Sequence, residues 1–279
     1  MAGQVSTLRR KLRSIKSTQK ITNAMALVAT AKLQKQKGRM YENNEYADTY
    51  HRILLSALSA EHEGEETSPF LVTPKCDNPL HIIVTSNSGL CGSYNMDLLK
   101  FVRDNIDKDD PIFAIGTYGI KWLDANDYMV VKRFDSLDSD EHFELNSIIY
   151  DILELYKMGE ISSIDMIYTQ YVNTMTFSPA MYEILPLEIP EGLEKKEIEL
   201  APDRNSLFDH LIPQYVSAVV FSTFLEAKTS EHAARRSAMD NANKNAQALI
   251  DEISLSYNQA RQAGITQEVT EITAGADAL

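Results

Sequence analysis

The chain has 279 residues, 44% of them apolar, and a formal net charge of −13, enough apolar material for one large or two ordinary folded domains. No run approaches the eighteen or more consecutive apolar residues of a membrane-spanning helix, and no secretory signal pattern opens the chain. Two cysteines, Cys76 and Cys91, are too few for a disulfide framework or a thiolate metal site, and six scattered histidines show no ligand spacing, so a reducing compartment fits.

The first forty residues carry Arg9, Arg10, Lys11, Arg13, Lys16, Lys20, Lys32, Lys35, Lys37 and Arg39 and no acid. Either this is a solvated cationic helix face or it meets an acidic partner. The Arg- and Ser-containing start resembles an organelle transit peptide, yet its apolar repeat runs past residue 30, so it is read as structure. From Gln4 to Lys37 there is no Gly or Pro, and Leu8, Leu12, Ile15, Gln19, Thr22, Ala26, Ala29 and Leu33 step by four and three. That spacing is a coiled-coil seam, softened by two polar residues. Ile21, Met25 and Val28 open a second apolar stripe, which predicts more than one neighbour for this helix. After Gly38 a helical pattern resumes through Tyr50, Ile53, Leu54 and Leu58 and dies in the polar stretch from Glu61 to Pro79.

The middle changes period. Strands are predicted at His81–Thr85, Ile112–Ile115, Tyr128–Phe134, Ile164–Tyr171 and Met181–Ile189, with helices at Met96–Ile106 and Leu145–Lys157. This alternation predicts a small α/β sheet covered by helices and joined by right-handed crossovers. After a linker from Pro190 to Pro202, Asp203 to Ser206 supplies helix-cap chemistry, and no Gly or Pro interrupts Gln214 to Ala263. Fifty helical residues would extend about 75 Å. A seam is clear at Leu211, Tyr215, Ala218, Ser222 and Leu225, and again at Ala246, Ile250, Ile253, Tyr257 and Ala260. Between them the register passes through Thr229, His232, Arg236 and Asn243, which reads as a polar outer face. So long a helix needs a neighbour, and the N-terminal helix, running antiparallel, is the expected one. The expected segments are an N-terminal coiled-coil helix over 1–60, a linker over 61–79, an α/β domain over 80–190, a linker over 191–205 and a C-terminal coiled-coil helix over 206–279.

Ser86-Asn87-Ser88-Gly89-Leu90-Cys91-Gly92-Ser93, between the first strand and the next helix, is either a phosphate-cradling turn or a tight structural one. It lacks the three-glycine dinucleotide spacing and the Lys-Ser/Thr of a P-loop. Cys91 is either a nucleophile without a sequence-local base or a small buried apolar residue. Acid pairs such as Asp109-Asp110 and Glu65-Glu66 read as solvated turns. Arg235 and Arg236 suit acidic loops of a protein partner better than nucleic acid, given the acidic chain.

The two ends carry a family resemblance. Ser17-Thr18-Gln19-Lys20-Ile21-Thr22-Asn23-Ala24-Met25 with Ala31-Lys32-Leu33 resembles the opening of γ subunits of F-type ATP synthases, and Tyr257 to Ile272, running into Ala274 to Leu279, resembles their close. Thr85 to Gly92 is similar to the family's first βα turn, and Ser230 to Arg235 to its mid-shaft segment. The resemblance implies a long antiparallel coiled coil plus a central Rossmann-like α/β domain, with no catalytic residue, cofactor or bound nucleotide of its own. It implies a rotor shaft inside an α3β3 ring, joined to ε and to the membrane ring of c subunits and turned by proton or sodium flow. A bacterial chain on the cytoplasmic side of the cell membrane follows from the same likeness. Carried over residue by residue, Met25, Arg235, Gln262, Thr266 and Glu268 are the expected contacts to the α/β ring. Arg236, and Asn87-Ser88 in the central turn, depart from the usual pattern. The alternatives are the shaft of an F1-like ATPase that does not serve synthesis, and a stand-alone nucleotide-binding α/β protein.

Overall fold

The computed structural model describes residues 2–60, 68–72, 74–135, 141–187 and 203–277, the side chains of 2, 141–144, 268 and 274–277 excepted. The linker expected from Pro190 to Pro202 and the acid pair Glu65-Glu66 lie outside these residues. The elements run α1 (Ala2–Leu58), β1 (Pro79–Val84), α2 (Tyr94–Asn105), β2 (Ile112–Ile115), α3 (Thr117–Ala125), β3 (Val130–Phe134), α4 (Glu141–Lys157), β4 (Ser163–Tyr171), β5 (Phe177–Leu185) and α5 (Arg204–Asp277). They form two compact units, Met1–Thr30 with Arg235–Leu279, and Ala31–Ala234.

In the larger unit one five-stranded sheet has the order β3-β2-β1-β4-β5, parallel except for β5, which pairs antiparallel with β4. Period-two alternation along β1 divides the core. Leu80, Ile82 and Val84 pack with α4, with Met40, Leu54 and Ala57 of α1 and with Phe208, Val216, Val220 and Phe224 of α5. Ile83 turns to the opposite face, where Leu98 and Val102 of α2 meet Ile120 and Leu123 of α3. Strands buried on both faces read as continuous apolar runs, which is why Ile82-Ile83-Val84 and Ile112 to Ile115 stand out in the sequence. At the start of β1, buried His81 sits 3.3 Å from both the Asp110 and the Asp165 carboxylates.

Four sequence expectations need correction. Gly38 does not divide the N-terminal helix, since α1 runs unbroken through it with open space where a Cβ would lie. Helix α3 escaped the periodicity because it has nine residues, two glycines at or near its start and little room for a 3.6-residue pattern. The last strand begins at Phe177 rather than Met181; Pro179 is tolerated because β5 is an edge strand. Asn173 closes this hairpin, its Oδ1 accepting the amides of Met175 and Thr176 at 2.8 Å. The fourth correction is in α5, where the stretch read as a polar outer face begins inside the protein: Lys228, Thr229, Ser230, Glu231 and His232 are all buried. Lys228 and Glu231 form an ion pair at 3.3 Å, so opposite charges meet where the helix is covered on every side.

The cap expected before α5 is present. The Asp203 carboxylate accepts the Ser206 amide at 2.9 Å and the Ser206 hydroxyl at 2.7 Å, and that amide bond holds its carboxyl below the usual carboxylate range. Beside this cap Arg204 donates to the Ala57 and Ala60 carbonyls at 3.2 Å, tying the start of α5 to the C-terminal end of α1.

In the smaller unit the two helices pair antiparallel. Gln19 donates to Gln247 at 3.1 Å, and Thr22 bonds Asn243. The seam follows the predicted spacing, with Leu8, Leu12, Ile15, Gln19 and Thr22 half-buried and Ala26 and Ala29 buried; on α5 Ala246 and Ile250 are buried and Ile253, Tyr257 and Ala260 half-buried. A polar pair within an apolar seam sets register at a cost in stability. Replacing both partners together, Thr22→Val with Asn243→Leu, is therefore expected to raise the thermal midpoint of the full chain by a few degrees, for a gain of about 1 kcal/mol. Either single change, which orphans the other polar group, should lower it; scanning calorimetry of all three variants checks the sign.

Candidate interaction surface

The glycine-containing turn after β1 spends its polar groups on itself. The Ser86 amide donates to Asn95 Oδ1 at 3.1 Å, Asn95 Nδ2 donates to Ser86 Oγ at 2.7 Å, and Ser86 Oγ donates to the Ser88 carbonyl at 2.8 Å. Leu90 and Gly92 take the left-handed conformation, both at φ 63°, which turns the chain into α2. Cys91 is buried against Tyr94 and Ala234, and the Tyr94 hydroxyl donates to the Ala227 carbonyl of α5 at 3.1 Å. This supports the reading as a structural turn that seats α2 on α5, with Cys91 as a small apolar residue. Among the described residues no group of His, Cys, Asp and Glu is placed to hold a metal ion, and no helix is long and apolar enough to cross a membrane.

All five predicted contact residues fall in the smaller unit. Met25 is half-buried on α1. Gln262 and Thr266 are exposed one helical turn apart, the Thr266 hydroxyl donating to the Gln262 carbonyl at 3.0 Å. The side chain of Glu268 lies outside the described residues. Arg235 differs from the others, being only 9% exposed, whereas the neighbouring Arg236 side chain is 41% exposed and lies 3.8 Å from Asp240. Gln262 and Arg235 stand about 40 Å apart along α5 at 1.5 Å per residue. The five therefore do not form one pocket. They are spread along the surface of a helix pair.

Sequence reasoning missed a feature of that surface. Carried along the antiparallel register, Ala2 at the start of α1 lies opposite about residue 264 of α5. Beyond that point Ile265, Val269 and Ile272 step by four and three on a face beside the seam register and are 53%, 54% and 71% exposed. Their spacing is visible in the sequence; their exposure is not. On α1, Ile21 and Val28 of the predicted second stripe are likewise 59% and 57% exposed.

Fold and surface together define a class: a mixed α/β sheet domain inserted in sequence between two long pairing helices, with apolar surface left uncovered near the C-terminal end. A family model described as ATP synthase matches residues 4–279. The ATP synthase gamma chain of Ureaplasma urealyticum is 37% identical over 98% of this chain and 99% of its own length. The gamma chain of Lactococcus lactis subsp. cremoris is 34% identical with both chains covered in full. In fold, a chain of the Euglena gracilis mitochondrial ATP synthase rotor is similar at a TM-score of 0.69 and 17% identity, covering 95% of this chain and all of that one. The chain belongs to the ATP synthase gamma-chain family.

Proposed function

We propose that the chain is the rotor shaft of an F-type ATP synthase, transmitting ion flow through a membrane sector to the catalytic β subunits without itself binding nucleotide. The observation that carries this reading is the uncovered apolar stripe Ile265, Val269 and Ile272 at the end of α5, which needs a surrounding surface to remain out of water. An α3β3 ring would supply it. Arg9, Arg10, Lys11, Arg13, Lys16 and Lys20 are exposed on α1, a cationic face suited to acidic segments of that ring, and screened contacts of this kind let surfaces slide. Met25, Arg235, Gln262, Thr266 and Glu268 are the proposed ring contacts. Arg235 is buried enough that it acts through neighbouring residues of its own chain or only at the helix edge. The ε subunit and the c ring are the proposed partners of the α/β domain, which places the chain peripherally on the cytoplasmic side of a bacterial cell membrane. The self-satisfied turn at Ser86 supports the absence of nucleotide binding.

Co-expression with α and β subunits and the membrane sector tests the proposal. The full chain is expected to form a complex with three copies of each, while a chain ending at Ala263 keeps its folded α/β domain and loses most ion-coupled activity. An unaltered coupling ratio in that truncation, or tight nucleotide binding by the isolated full chain, would count decisively against the shaft.

A further inference from the structure

A cleft of about 380 Å³ opens within the larger unit, between the second half of α1, the β4–β5 hairpin and the first half of α5. That volume lies at the lower end of the range for small-molecule sites. Its walls carry two carboxylates, Asp48 and Glu226, and three phenols, Tyr168, Tyr182 and Tyr215, with His51 at the side; no Lys or Arg lines it. The phenols form a connected surface. Tyr182 and Tyr215 bring their hydroxyls to 3.4 Å, and the His51 and Tyr215 rings lie 5.8 Å apart. Glu226 is half-buried at its inner end, with Oε1 accepting the Tyr171 amide at 3.0 Å and the carboxylate also taking the Tyr168 hydroxyl. Neither carboxylate has a cationic side-chain partner among the described residues.

Burial pushes the Glu226 carboxyl up from its ordinary value, its two hydrogen bonds opposing that rise. A desolvated carboxylate without a counter-ion is a cost that a bound cation removes. The occupant is fixed by what the walls offer: carboxylate and phenolic oxygens accept hydrogen bonds, and tyrosine rings attract cations. A primary ammonium carries three N–H donors and a compact charge, so it uses both, whereas a quaternary ammonium uses only the second. We propose that this cleft is a binding site for a small primary amine, whose ammonium group pairs with Glu226 among the tyrosine hydroxyls, with the exposed Asp48 carboxylate adding to the attraction. The site is independent of the rotor reading, since it depends only on the α/β domain and the helix segments packed on it.

Calorimetric titration of the full chain with putrescine, butylamine and tetramethylammonium at matched ionic strength tests the assignment. Saturable binding of the two primary amines is expected at millimolar concentration, with tetramethylammonium weaker by roughly tenfold or more. Glu226→Gln should weaken the primary amines by roughly tenfold and Asp48→Asn, at an exposed position, by a smaller factor. Glu160→Gln, an exposed charge outside the cleft, controls for general attraction to an acidic protein and should change nothing. Thermal melts run beside the titrations establish that each variant is folded, and Asp48→Asn carries the test if Glu226→Gln is not. The proposal is overturned if the amines do not saturate, if Glu226→Gln and Glu160→Gln weaken them equally, or if tetramethylammonium binds as well as butylamine.

Discussion

Replacing Gly116 by alanine is expected to destabilise the α/β domain by about 4 kcal/mol, lowering its thermal midpoint by roughly 10 °C. Two costs act on the same atom. Gly116 has φ +97°, a conformation that L side chains rarely adopt, and a Cβ built there would lie 2.4 Å from the Thr85 carbonyl oxygen. That oxygen belongs to backbone directly after a central parallel strand, so it does not yield as a flexible side chain would. Thr85 is also held in place by its own hydroxyl, which donates to the Ile115 carbonyl at 2.9 Å and accepts the Gly119 amide at 2.9 Å. Gly38→Ala supplies the opposite sign. Gly38 lies inside α1 with nothing within 4 Å of a built Cβ, so alanine there should add about 1 kcal/mol. Urea denaturation of the two variants beside the parent reads both effects, and a Gly116→Ala protein of parental stability would contradict this account of the contact between the β2–α3 turn and the end of β1.

Phe224→Ala is expected to cost about 3–5 kcal/mol, the range for emptying a fully buried aromatic site. Phe224 has no exposed surface and belongs to the core cluster in which α5 meets Ile82 and Met166 of the sheet. Its loss should loosen the first half of α5 from the sheet before the sheet itself opens. Hydrogen exchange therefore makes the sharper measurement: amides from Val219 to Thr229 should exchange much faster, while those of β1 and β4 keep most of their protection. Equal loss of protection in the sheet would mean that α5 and the sheet open as a single cooperative unit.

Glu226 adds a pH dependence of opposite sense to the usual carboxylate. Its folded-state pKa is raised by burial, so its contribution to stability is fully present below its unfolded value and is lost as pH rises through the folded one. Glutamine in its place can still accept from the Tyr171 amide and does not ionise. The difference in thermal midpoint between Glu226→Gln and the parent should accordingly move in the variant's favour as pH rises above the ordinary glutamate range. At the alkaline end the sign favours acid as well. Burial raises Tyr156 to about 12 and pushes Tyr168 and Tyr215 higher still, so stability should fall as pH climbs above the ordinary tyrosine value of about 10.

Much of this architecture can be read from residue order, because each legible element buries a repeating stripe. The four-three spacing from Leu8 to Leu33 and from Ala246 to Ala260 is the spacing of the seam found between the helices, and Ile112 to Ile115 is a strand at the predicted bounds. The motifs at Ser17–Met25 and Tyr257–Ile272, in that order, carry the resemblance to the gamma-chain family by themselves. What the order of residues did not determine depends on which surfaces meet. Lys228, Glu231 and His232 look like solvent-facing residues until helix α5 is covered on all sides, because charge in a sequence says nothing about where its partner stands. Ile265, Val269 and Ile272 read as one more apolar stripe of a helix, and only the folded chain leaves all three exposed. The tyrosine and carboxylate cleft joins residues from α1, β4, β5 and α5, far apart in the chain, and exists only because those four elements pack together. Periodicity is a local property and survives in the sequence; burial, pairing and cavities belong to contacts between distant segments, and only the folded chain decides them.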